Sequence, residues 1–169
     1  SAPGAGNVIS ANADIGLILG QSAASVFSVV YGNFIGTDVT GTIAMGNTDR
    51  GIHAGGADNI IGGPGPGEGN IIAYTRPLAT QAGVGVYVPA NPRNRIRGNS
   101  IFGNAGIGID NMPAGIPDGV TPNDPGDADG GGNSLQNFPV LSSVTTGATT
   151  RIQGALHSTP STVFDLDFY

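Results

Sequence analysis

The sequence predicts an all-β chain, a parallel solenoid of about four coils with a short C-terminal β-strand extension. Three observations predict it. Gly-Asn, any residue, then Ile is written four times, as "GNVIS" from Gly6, "GNFIG" from Gly32, "GNIIA" from Gly69 and "GNSIF" from Gly98. Short apolar segments of three to six residues recur between these sites. Gly and Pro make up 42 of 169 residues (30 Gly and 12 Pro), so every window long enough for a helix is interrupted. Such a Gly and Pro content without a period suggests disorder, whereas with a period it suggests a fold of many turns.

The first strand position follows each Gly-Asn pair. Asn7, Asn33, Asn70 and Asn99 lead two residues later to Ile9, Ile35, Ile72 and Ile101, at spacings of 26, 37 and 29 residues. A second strand reads "GLIL" from Gly16, "GIHA" from Gly51, "GVGVYV" from Gly83 and "GIGI" from Gly106. A third reads "SVVY" from Ser28, "NIIG" from Asn59 and "NRIR" from Asn94. Alternate residues in these strands are apolar. One such unit cannot bury its own apolar side chains, but stacking Ile35 on Ile9, Ile72 on Ile35 and Ile101 on Ile72 makes a continuous core. The Asn residues are expected to stack likewise, amide to amide. The preceding Gly is expected to supply a backbone shape that other residues resist.

The style changes near Leu141. Residues 1–141 read as repeats with a closing Asp/Gly-rich loop, and residues 142–169 as a β-strand cap or the start of a further β domain. In the second block "TRIQGALHS" and "STVFDLDFY" read as alternating strands, with Phe164, Leu166 and Phe168 on one face and Asp165 and Asp167 on the other. Two strands do not make an independent domain. The chain opens on "SAPGAGN" without Met and stops within a strand-like run, which predicts a piece of a longer protein. An open solenoid end and an unpaired C-terminal strand predict self-association.

Charge narrows the function classes. The net charge is −6, and the six cations are all Arg against eleven Asp and one Glu. A Lys-free acidic chain is a poor partner for nucleic acid, whose binding depends on phosphate neutralisation. No apolar run reaches membrane-spanning length. The absence of Cys leaves the redox compartment unread.

The stretch "GNFIGTDVTGTIAMGNTDRGIHAGGADNIIGG" resembles the right-handed parallel β-helix repeats of large secreted bacterial surface proteins in the pectin-lyase-like superfamily. The resemblance runs from about Gly6 to Leu141 and takes in "NDPGDADGGGNSLQNFPVL" from Asn123. It implies a right-handed β-helix and a secreted or cell-surface location. It does not fix an activity, because the superfamily holds lyases, hydrolases, adhesins and other surface proteins.

Candidate chemistry is sparse. Asn47-Thr48-Asp49 and Arg95-Ile96-Arg97 resemble elements of polygalacturonase-type hydrolases, but the paired Asp-Asp and the Gly-His-Gly of those enzymes are missing. Arg93, Arg95 and Arg97 alternate, which predicts a row on one face able to clamp an acidic polysaccharide, with Asp49 as a further ligand-binding candidate. The alternative is a solvated edge that balances nearby Asp. Asp124, Asp127, Asp129 and Asn133 concentrate oxygen ligands between glycines and suggest a structural Ca²⁺ loop, with Asp118 able to add another. The closing bidentate Glu of calcium loops is absent, and a soluble Gly-Asp turn would look the same. His53 and His157 have no second ligand at metal spacing. Tyr31, Tyr74 and Tyr87 would form a sugar platform only if they shared a face. The leading expectation is a non-catalytic structural or adhesion fragment. A carbohydrate-binding surface comes second, and a lyase or hydrolase acting on acidic glycans third.

Overall fold

The computed structural model describes residues 5–20, 27–79, 82–112 and 119–167. Asp118 and Phe168, named above as a ligand and a face residue, lie outside them.

The chain is nearly all-β. Its strands are β1 (Val8–Ile9), β2 (Leu17–Ile18), β3 (Val29–Val30), β4 (Phe34–Ile35), β5 (Arg50–His53), β6 (Ile60–Ile61), β7 (Ile71–Ala73), β8 (Val84–Val88), β9 (Arg95–Ile96), β10 (Ser100–Phe102), β11 (Ile109–Asn111), β12 (Val140–Thr145) and β13 (Arg151–Ala155). The chain visits three parallel sheets in rotation. The first is ordered β1-β4-β7-β10, the second β2-β5-β8-β11 and the third β3-β6-β9. All three strand families read from the sequence are present.

The register places like on like. Ile9 pairs with Ile35, Ile35 with Ile72, and Ile72 with Ile101. In the second sheet Leu17, Ile52, Val86 and Ile109 form one row. In the third, Val30, Ile61 and Ile96 form another. These rows meet in one core, where Ile35, Ile52, Ile61, Ile72, Val86 and Val88 are fully buried. Burying each such side chain is worth about 1.5–3 kcal/mol, which is how strands of two or three residues persist.

Polar side chains hold the corners. Asn7 Nδ2 donates to Asn33 Oδ1 (2.9 Å), Asn33 Nδ2 to Asn70 Oδ1 (3.0 Å) and Asn70 Nδ2 to Asn99 Oδ1 (2.8 Å). The main-chain N–H of each donor residue bonds the same oxygen. This is the amide stack expected from the Gly-Asn repeat. The glycines before it serve two different ends. Gly32 and Gly98 have φ of 68° and 62°, the left-handed region. A Cβ on Gly6 or Gly69 would instead run into the carbonyl oxygen of Gly32 or Gly98, so close stacking and not a special φ requires glycine there.

The C-terminal block differs from its expected form. "TRIQGALHS" does supply a strand, β13, but its antiparallel partner is β12 and not "STVFDLDFY". The described part of that segment, Ser161 to Asp167, is in no strand. Ser161, at its start, has φ of 57°, and Asp165 and Asp167 are drawn to Arg97. Among the described residues no helix is long and apolar enough to cross a membrane.

Candidate functional site

The three arginines expected to form one row do not act as one: two are bound to different acids and the third has no ion pair among the described residues. β9 holds only Arg95 and Ile96, and Arg93 precedes it with φ of 64°, so the alternation is broken. Arg93 Nε and Nη2 bind the Asp58 carboxylate at 2.6 and 2.8 Å. The pair holds the Asp58 carboxyl below its usual range. Arg97 faces the C-terminal segment. Its Nε and Nη2 grip Asp167 (both 2.8 Å), and its Nη1 bonds Asp165 at 2.8 Å. Arg95 is exposed and has no ion pair among the described residues. It lines a cleft of about 770 Å³ with Phe27, Arg93 and Phe164.

Asp49 lies on another side, just before β5. It is 6% exposed, too little to meet a polymer. Its Oδ1 is buried without a hydrogen-bond partner among the described residues, and its Oδ2 sits 3.3 Å from Arg50 Nη1. Burial raises its pKa above the usual carboxylate value, Arg50 opposes that, and Asp14 adds to it. Arg50 also lies over the Tyr87 ring, 4.1 Å from its centroid, and His53 meets the same ring edge-on at 5.3 Å. Arg50, His53 and Tyr87 thus form a packed cluster on the second sheet. Tyr87 is 3% exposed and is no sugar platform. The preceding Asn47, fully buried, accepts from Asn12 (2.8 Å) and donates to Ile9 O (2.8 Å), so the Asn-Thr-Asp triplet begins in a corner amide.

His53 gives the fold a pH dependence. Its Nδ1 lies 3.4 Å from Arg50 Nη1, so the guanidinium donates and the ring accepts, as a neutral imidazole does. Burial first, and the Arg50 charge second, lower its pKa below 6.5. As pH falls, the unfolded chain therefore takes up the proton before the folded one, and stability is lost from about 6.5 downward. Thermal melts between about pH 7 and pH 5 are expected to show that loss, and His53→Gln to flatten it. An unchanged slope in the variant would remove His53 from this role. Asp49 acts in the opposite direction. Its raised value makes stability fall as pH rises through the carboxylate range.

The acidic loop partly assembles. Oxygens of Asp124, Asp127 and Asp129 all lie within 4.8 Å of one another. Asp127 Oδ1 accepts the Asn137 N–H (2.7 Å), its Oδ2 accepts the Ser158 hydroxyl, and Asp124 Oδ2 accepts the Ala128 N–H (3.0 Å). Asp124 Oδ1 and Asp129 Oδ1 are buried without hydrogen-bond partners among the described residues. Hard oxygens at this spacing suit a cation such as Ca²⁺. Asn133 does not join them. Its Oδ1 accepts the Asn94 N–H (2.8 Å) and its Nδ2 donates to Asn94 O (2.9 Å). It ends a further amide stack, in which Asn59 Nδ2 donates to Asn94 Oδ1 (2.7 Å). The sequence carried a signal for this. Asn59, Asn94 and Asn133 each stand two residues before Ile61, Ile96 and Leu135, the same Asn-x-aliphatic spacing as the first stack.

Comparison of the chain with protein-family models, with curated proteins and with solved structures finds no match.

Proposed function

We propose that the chain is part of a right-handed parallel β-helix of about four coils, of the pectin-lyase-like kind, and that it is a non-catalytic spacer or adhesion element of a secreted or cell-surface protein. One observation carries this reading: the chain spends its buried polar side chains on construction. Asn33, Asn47, Asn59, Asn70, Asn94 and Asn99 are all buried, and each bonds a neighbouring pass of the chain. Such stacks stiffen a rod along its axis, because each rung loses its partners if the next one moves. Asp49, the acid nearest a catalytic motif, is enclosed, and Arg93 and Arg97 are bound to acids of the chain itself.

Exposed Arg95 favours a second reading, a surface that binds acidic polysaccharide without cleaving it. Incubation with acidic and neutral polysaccharides, followed by size-exclusion chromatography, separates the two. The spacer reading expects neither shortened polymer nor co-elution. Co-elution abolished by Arg95→Ala would replace it with the binding surface. Shortening of an acidic polymer, lost in Asp49→Ala, would make the protein an enzyme and overturn both.

The spacer reading includes a structural Ca²⁺ at Asp124, Asp127 and Asp129. A cation that binds only the folded chain stabilises it by about 2.7 kcal/mol at a hundred times its Kd. Millimolar Ca²⁺ is therefore expected to raise Tm, and Asp124→Asn to cancel the rise. A Tm indifferent to Ca²⁺ and to chelator would remove the ion from the reading.

A further inference from the structure

The first sheet ends in a strand with one free side. β10 is bonded to β7 and, among the described residues, to no strand beyond it. Ser100 N–H donates to Asn70 O (2.8 Å), and Phe102 O accepts from Tyr74 N–H (3.4 Å). Strand alternation therefore turns the N–H and C=O of Ile101 to the open side. Asn99 shows the same vacancy. In every earlier rung the Asn main-chain N–H donates to the next Asn Oδ1, at 3.0, 2.9 and 3.0 Å. The Asn99 Oδ1 accepts from Asn70 and its Nδ2 donates to Ile61 O, but its main-chain N–H has no hydrogen-bond partner among the described residues. The edge thus lacks one carboxamide oxygen and one strand.

Beside this edge lies a cleft of about 890 Å³ whose walls include Ile96, Ile101, Phe102, Ile109, Phe138 and Leu166. At the ends of the other two sheets the 132–133 segment supplies individual hydrogen bonds. Asn133 takes the Asn94 N–H in the third stack, and Gly132 N–H donates to Met112 O (2.8 Å) just beyond β11.

We propose that the β10 edge binds an extended segment of a partner chain, added parallel to β10 and carrying Asn, any residue, then Ile or Val. The partner's Asn oxygen accepts the Asn99 N–H. The residue after it exchanges main-chain bonds with Asn99 O and Ile101 N–H, and the aliphatic side chain lands on Ile101 in the apolar cleft. Main-chain bonds supply affinity, as in other strand additions, and the carboxamide and aliphatic positions supply selectivity. The edge takes such a segment whether or not the chain is a spacer.

The probe is a capped peptide with the sequence of residues 6–12, titrated into the ¹⁵N-labelled full chain. Saturable shifts are expected at the Asn99 and Ile101 amides. Replacing the peptide Asn by Ala should weaken binding about tenfold, by loss of a bond to a buried group. N-methylation of the residue after Asn should abolish it. Leaving the protein unaltered keeps its folding out of the comparison. Absence of saturable shifts at those two amides, or equal binding of a scrambled peptide, overturns the proposal. So does light scattering that reveals a dimer in which the peptide cannot compete, because the edge then belongs to a second copy.

Discussion

Asn70→Ala is expected to lower the unfolding free energy by about 3–5 kcal/mol, more than any exposed polar substitution in the chain. Asn70 is 1% exposed and joins two passes. Its Oδ1 accepts from the N–H and Nδ2 of Asn33 (2.9 and 3.0 Å), and its Nδ2 donates to Val30 O and Asn99 Oδ1 (both 2.8 Å). Truncation removes all four bonds at once. The orphaned groups stay buried, because Asn33 and Val30 are themselves covered. Each costs about 1–3 kcal/mol when no water replaces the lost partner. Asn7→Ala is the control. Asn7 is exposed and its side chain donates, among the described residues, to Asn33 only, so its loss is expected to stay below about 1 kcal/mol. Urea unfolding of both variants measures the difference. Equal losses at the two positions would mean that burial does not set the strength of the stack.

Ile72→Ala is expected to cost about 2–5 kcal/mol and Ile72→Val about 0.5–1.5 kcal/mol. Ile72 is fully buried between Ile35 and Ile101. Neighbours fixed by main-chain pairing on both sides have little freedom to close the cavity. Ile18, on the second sheet, is 45% exposed, and its change to Ala is expected to stay within about 0.5 kcal/mol. The same unfolding measurement covers all three, and a large loss at Ile18 would contradict the assignment of its face.

The first sheet was the most legible part of the sequence. Asn7, Asn33, Asn70 and Asn99 each carry an Ile two residues on, and strand alternation turns that spacing directly into a stacked polar corner and a stacked apolar row. The third sheet carried the same Asn-x-aliphatic signal at Asn59, Asn94 and Asn133. There the Asn133 repeat lies in an Asp-rich loop, where its oxygen reads equally well as a cation ligand. The arginines show where pattern fails. Alternation of Arg93, Arg95 and Arg97 implies a common face only if all three lie in extended backbone, and the left-handed φ at Arg93 removes that condition.

By itself the sequence determined the repeat, the three strand families and the row of Ile side chains. These depend on local spacing and on burial, which short-range pattern encodes. The tertiary structure alone decided which charges are spent. Arg97 meets acids 68 and 70 residues away, and Arg93 meets Asp58 35 residues back. Asp49 is enclosed by a corner and a sheet that arrive from other passes of the chain. No local spacing encodes pairings at such separations, because they exist only once the stacked sheets have brought distant segments side by side.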